Sequence, residues 1–192
     1  MCENRDMSFA VLETSRLSIR RFVADDLTDL VDYRLDPAVA LYQDWDSDWS
    51  LADAQRYLEH ADEPELGTSG EWAQLAIVDR TSGRLRGDIG VHFIKTQPST
   101  VEVGVTMSRT FQGLGLAAEA MRSVVSWLFS DFGLHRVFAH VDERNVAARG
   151  LLTSLGFRQE AALREADWFK GEWTTLCVYG VLAREWPQQP TE

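Results

Sequence analysis

Cysteine is nearly missing from this chain: Cys2 and Cys177 stand alone in 192 residues and form no CxxC. That scarcity excludes a disulfide framework and a cysteine-ligated metal centre. Histidine is almost as sparse, and His60, His92, His135 and His140 follow no HExxH-type spacing, so no metal is expected. No apolar run approaches the roughly 20 residues that span a bilayer. The first residues, MCENRDMSFA, lack the apolar stretch of a secretory signal, so a cytoplasmic protein with no membrane partner is expected. Basic residues are outnumbered, with 19 Lys and Arg against 30 Asp and Glu and a net charge of −11. A nucleic-acid binder carries a basic stripe, and none is present here. Repeats, low-complexity tracts and linkers are absent too, and the length suits one domain over 1–192.

What is present is unevenly spread. Residues 1–66 carry 16 of the 30 acidic and six of the 19 basic residues, so nearly all the net charge lies in the N-terminal third. Alternating apolar and charged positions in RLSIRRF (16–22) predict a strand. DDLTDLVDYRLD (25–36) then predicts a helix with Leu27, Leu30, Val31 and Leu35 on one face, stopped at Asp36-Pro37. The acidic, aromatic segment LYQDWDSDWS has no clear period. Behind Ser50, with Asp53 in the capping-box position, a second helix is expected through LADAQRYLEHA, followed by a loop over 62–71.

From residue 72 the pattern becomes sheet-like. Strands are expected at 72–79, 86–94, 100–108, 135–141 and 172–186, the first two joined as a hairpin. Helices are expected at 116–132, with Gly133 as its stop, and at 145–157, ending at Gly156. The expected class is α+β, with two helices between the first two strands.

The stretch RTFQGLGLAAEA (109–120) joins a strand to a strong helix. A helix N-terminus offers unpaired backbone N–H groups and a partial positive charge, so small residues before it admit an anion. Gly113, Gly115 and Ala117 give that access, and Gln112 adds a side-chain amide. No Lys-Ser/Thr pair follows, as a nucleotide P-loop requires. The dinucleotide GxGxxG is incomplete as well. A strand-to-helix turn with glycines for tight packing stays open on the loop alone.

QGLGLA (112–117) resembles the Q/R-x-x-G-x-G/A motif of GNAT acetyltransferases. LETSRLSIRRF, VEVGVTMS, GLHRVFAHVDERN, LLTSLGF and the tail FRQEAALREADWFKGEWTTLCVYGVL are similar to the RimJ/RimL-like branch, over about residues 10–186. The resemblance implies a three-layer α/β/α domain. Its mixed, mostly antiparallel sheet would have about seven strands with one splayed pair, beside about four helices. It implies acetyl-CoA as cosubstrate and a primary amine as acceptor, with a homodimer as a possible assembly. Gln112, Gly113, Leu114, Gly115, Leu116 and Ala117 would hold the pyrophosphate. The backbone around Met107, Ser108 and Arg109 would receive pantetheine, and Asn145 the cofactor arm. Asn145 is equally a good N-cap.

Direct attack of an amine on a thioester needs a proton acceptor and no nucleophilic side chain. Three base candidates stand out beside water alone. Glu160 falls where related sequences carry a glutamate, Glu102 lies in an apolar strand, and His140 has an imidazole suited to proton transfer at neutral pH. Cys2 and Cys177 need no role. One departure is plain: related enzymes often read N-x-x-S here, the serine or a nearby tyrosine protonating the leaving thiolate. This chain has Ala148 at that position, no tyrosine on the helix, and Ser154 two turns later. For the acceptor, Asp44, Asp46 and Asp48 with Trp45 and Trp49 suit a cationic amine through ion pairing and cation–π contact. Solvated aspartates with tryptophans anchoring the loop fit equally well. An acyl-CoA-binding sensor or partner-binding module is the alternative function.

Overall fold

A computed structural model describes residues 11–61 and 66–187; Cys2 and residues 62–65 of the expected loop lie outside them. Among the described residues eight strands form one sheet. They are β1 (Leu12–Glu13), β2 (Leu17–Arg20), β3 (Trp72–Asp79), β4 (Leu85–Phe93), β5 (Thr100–Met107), β6 (Arg136–Asp142), β7 (Arg158–Phe169) and β8 (Glu172–Leu182). Their order is β1-β2-β3-β4-β5-β6-β8-β7, and every pairing is antiparallel except β5 with β6. Five α-helices among the described residues accompany them: α1 (Leu27–Arg34), α2 (Pro37–Ala40), α3 (Leu51–Ala61), α4 (Leu116–Asp131) and α5 (Val146–Ser154). None is long and apolar enough to cross a membrane among the described residues.

Side-chain alternation builds the layers. On β3, Leu75 and Ile77 enter one core while Ala76 and Val78 enter the other. The larger core packs α4 and α5 against the sheet. Met121, Val124, Val125 and Leu128 of α4 are buried there, each worth about 1.5–3 kcal/mol relative to exposure. The smaller core packs Phe22, Leu30, Tyr33, Val39 and Ala54 against β3 and β4. The expected α/β/α sandwich is therefore present.

Several local expectations differ in detail. The buried face of α1 runs through Leu30, Tyr33 and Arg34, whereas Leu35 is exposed. Pro37 stops α1 but also starts α2, because Asp36 Oδ1 accepts from the Ala38 N–H at 2.9 Å. The expected capping box of α3 is formed: the Ser50 N–H donates to Asp53 Oδ2 at 2.8 Å, and the Asp53 N–H to Ser50 Oγ at 3.2 Å. The last expected strand ends at Leu182. β7 had no expected counterpart. It is an exposed edge strand, interrupted at Gln159/Ala161 and Leu163/Asp167, so its sequence shows no apolar alternation.

Candidate active site

β5 and β6 run parallel as neighbours, but their pairing stops after three rungs: Thr100 with Arg136, Val101 with Val137, and Glu102 with Phe138. Beyond Glu102 the two strands part, leaving a notch at their carboxyl ends. Parallel strands whose connections diverge leave such a crevice for ligands. β5 leads through the glycine loop into α4, and β6 leads through Asn145 into α5. Between these segments lies a cavity of about 600 Å³ lined by Val105, Thr106, Met107, Gln112, Gly113, Gly115, Leu116 and Ala117. Asn145, Ala147, Ala148, Gly150, Leu151 and Ser154 form its α5 side, and Ala38, Val39, Tyr42 and Gln43 close it opposite.

The loop has the geometry an anion requires. Gly113 and Gly115 adopt φ of +73° and +77°, conformations that cost a side-chain-bearing residue about 1–2 kcal/mol. Gly115 caps α4 without any side-chain bond, and nothing approaches the space over Gly113. The first N–H groups of α4 have no intrahelical acceptor and border the cavity. These features fit the diphosphate of a coenzyme A. Leu114 and Arg109 belong to the same loop. The Arg16 guanidinium donates to the Leu114 carbonyl at 3.0 Å, and Arg109 reaches Asp36 at 3.9 Å.

Two expected contacts are already engaged within the chain. The Gln112 amide donates to the Met107 carbonyl at 3.0 Å, bracing the end of β5. The Ser108 N–H donates to the Arg86 carbonyl at 2.8 Å. On the β6 side, pairing ends at Glu102, so the unpaired edge of β5 begins upstream of Met107. Asn145 Oδ1 accepts from the Ala148 N–H at 3.1 Å, which caps α5 and leaves the amide N–H₂ for the cavity.

A brace beneath the loop was not visible in the sequence. Glu119, in the first turn of α4, accepts from Thr14 Oγ1 at 2.6 Å, the Arg16 N–H at 2.9 Å and Arg16 Nε at 2.6 Å. Burial pushes this carboxyl up. The hydrogen bonds from Thr14, Arg16 and Ser15 outweigh that and hold it at about 2. The N-terminal segment is thus pinned to the helix that carries the loop. Partners about 100 residues apart leave no local signature.

Of the three base candidates, the fold joins two. His140 Nδ1 lies 2.7 Å from Glu102 Oε1, and His92 Nδ1 lies 3.7 Å from Oε2. A carboxylate only accepts, so in the neutral imidazole His140 Nδ1 carries the proton and Nε2 holds the lone pair. The hydrogen bond to Glu102 raises His140 above its usual pKa, against an opposing effect of burial. The pair bridges the vertex of the notch on the face opposite α4 and α5. Glu160 stands apart. Arg136 grips it through both guanidinium nitrogens, one at 2.7 Å, and lowers its pKa, so its carboxylate is a poor base.

The tryptophans expected to face the acceptor also make contacts within the chain. The Arg34 guanidinium stacks 3.5 Å from the Trp45 ring and 4.7 Å from Trp49 and Tyr57, and pairs with Asp88 at 3.3 Å. The cation in that aromatic box is the chain's own. Asp44, Asp46 and Asp48 are exposed on the same loop. Asp46 meets Lys170 at 3.3 Å, and Lys170 Nζ donates to the carbonyls of Ala40 (2.9 Å) and Trp45 (2.7 Å). The turn between β7 and β8 thereby clamps the acidic loop against the cavity wall.

Comparisons with known proteins agree with this geometry. Residues 16–158 match the model of the acetyltransferase (GNAT) domain. An uncharacterized N-acetyltransferase p20 from Bacillus licheniformis is 26% identical over 175 residues, covering 91% of this chain and 97% of its own. Among solved structures, spermidine N-acetyltransferase from Vibrio cholerae, in complex with CoA and spermine, superimposes with a TM-score of 0.75 at 19% identity, covering 90% of this chain and 98% of that one. The ribosomal L7/L12 alpha-N-protein acetyltransferase RimL, in complex with coenzyme A, gives 0.80 at 14% identity, with the same coverage. The match over most of the chain, on a sheet splayed above a glycine-gated helix, makes this protein a member of the GNAT family of acetyl-CoA-dependent acetyltransferases.

Proposed function

We propose that this chain acetylates the primary amine of a cationic acceptor, either a small polyamine-like molecule or a protein N-terminus. The observation that carries the reading is the His140–Glu102 pair at the vertex of the notch. Glu102 orients the imidazole, and Nε2 takes the proton that the attacking amine must lose. The acetyl thioester supplies the electrophile. The α4 N-terminus with Gly113 and Gly115 holds the diphosphate, and the β6-facing edge of β5 beyond Glu102 receives pantetheine. The Asn145 amide steadies the arm. Asp44, Asp46 and Asp48 place negative charge on the acceptor side, beside Tyr42 and Gln43 of the cavity wall. The named substrates of the spermidine and L7/L12 enzymes are precedents for such an acceptor.

Thiol release measured over spermidine, N-terminal peptides and amino acids tests this reading, beside calorimetry with acetyl-CoA. Turnover with at least one cationic amine is expected. Binding without turnover on any amine supports a sensor instead. Asp48→Asn should raise KM for the cationic acceptor and leave KM for acetyl-CoA unchanged. Unchanged acceptor kinetics removes the charge argument.

A further inference from the structure

Four carboxylates on and around the β7–β8 hairpin are answered by cations. Asp142 and Glu172 share Arg144, Glu160 has Arg136, and Asp46 has Lys170. Asp167 of β7 is not. It is half-buried and makes no hydrogen bond or ion pair among the described residues. Its partner in the ladder is Thr174 of β8, which is 4% exposed and whose buried hydroxyl also lacks a partner. Side chains directly opposite in an antiparallel pair have Cβ atoms about 5 Å apart, so two unsatisfied polar groups stand together. Such groups are costly to bury unanswered, and what both can accept is a donor.

Register puts this pair on the reacting face. His140 stands opposite Val178, and Thr174 lies an even number of residues along β8 from Val178, hence on the same side of the sheet. Asp167 shares that side through the Thr174 rung. The hydrogen bond to Glu102 dominates the raised pKa of His140, and the Asp167 charge adds to it from across the gap. Between the two the face is apolar. Val178 and Leu176 are half-buried, and Leu163, the partner of Leu176, is 46% exposed. The hairpin reaches over this face, because Lys170 at its turn donates to the carbonyls of Ala40 and Trp45 in the α1–α3 layer. A base, an apolar strip and an unanswered carboxylate thus follow one another along one path.

Resting on the acetyltransferase reading above, we infer that Asp167 is a specificity residue that selects an acceptor with a second positive charge. The preferred acceptor is an elongated aliphatic dication. One amine is acetylated at the notch, the alkyl spacer lies along Val178 and Leu176, and the far ammonium donates to Asp167, with Thr174 Oγ1 as a further acceptor beside it. The spacer gives up no hydrogen bond on leaving water, and a charge-assisted bond forms to a carboxylate that had none. The reacting nitrogen must be neutral to attack, whereas the far one stays charged. Asp167 binds only the charged form, so it orients the dication with its neutral end toward His140.

Straight-chain diamines of increasing length, assayed by thiol release beside monoamines of equal length, test this. In the native protein kcat/KM should favour the diamine by about 10- to 100-fold at the best length, the worth of a hydrogen bond to a charged group. Asp167→Asn should bring that ratio close to one, and Asp167→Glu should keep a preference but shift its best length. The ratio cancels any change in His140, since both acceptors use the same base. Binding supplies a second readout: by calorimetry with CoA present, Asp167→Asn should bind the diamine at least about tenfold more weakly than native protein. An unaltered diamine preference or affinity in Asp167→Asn overturns the inference. So does a native ratio near one while amines are still acetylated, which leaves the acetyltransferase reading standing. Should the native protein bind acetyl-CoA yet acetylate no amine, that reading fails and this inference falls with it.

Discussion

Replacing Asp88 by Asn isolates one charge buried between α1 and β4. Asp88 and Arg34 face each other at 3.3 Å with side chains 5% and 3% exposed. Tyr33 also donates its hydroxyl to Asp88 Oδ2. An asparagine retains an oxygen for Tyr33 and nearly the same volume, so packing and that hydrogen bond survive. What is lost is the counter-charge of a guanidinium that burial disfavours and Asp88 sustains. Stranding one member of a buried pair costs about 3–5 kcal/mol, a large fraction of the roughly 5–15 kcal/mol that holds a domain folded. At roughly 2–4 °C per kcal/mol for a chain of this size, Tm should drop by about 6–20 °C in a calorimetric scan. The double variant Arg34→Met/Asp88→Asn removes both charges and should recover most of the loss. A single variant within about 2 °C of native, or a double variant no better than the single, would refute the view that this ion pair secures α1 to β4. The aromatic box would then hold on stacking alone.

The base pair makes a prediction in pH. A base must be neutral, and the bond to Glu102 raises His140, so kcat/KM should climb through a midpoint above the ordinary histidine range near 6.5. Glu102→Gln should move that midpoint to lower pH, and His140→Ala should cost about 10²–10⁴-fold in rate; a midpoint unmoved by Glu102→Gln breaks the assignment. By the same linkage, the stabilisation from this pair is complete below the unfolded histidine pKa and fades as pH rises through the raised one. Gly113→Ala should weaken coenzyme A binding at least about tenfold in calorimetry. It strains a φ of +73° by about 1–2 kcal/mol and sets a methyl in the space an anion needs. Native affinity in that variant removes the loop from the diphosphate site.

Features governed by neighbours in the chain were legible from the sequence. The helix of α4, the Ser50–Asp53 capping box, the span of β3 and the left-handed glycines of the loop follow from residues within one or two turns of each other. Backbone hydrogen-bond periods and side-chain alternation act over that range. Tertiary register decided the rest. Three parallel rungs between β5 and β6 bring His140 onto Glu102, while Glu160 of β7 meets Arg136 of β6 across Gly180 of β8. The fold of α1 onto β4 delivers Arg34 to Trp45 and Trp49, so the cation their composition suited comes from within the chain. β7 escaped notice because an exposed edge strand has no buried face to impose alternation. Tyr42 meets the Arg144 carbonyl across 102 residues, and only chain packing sets such a distance.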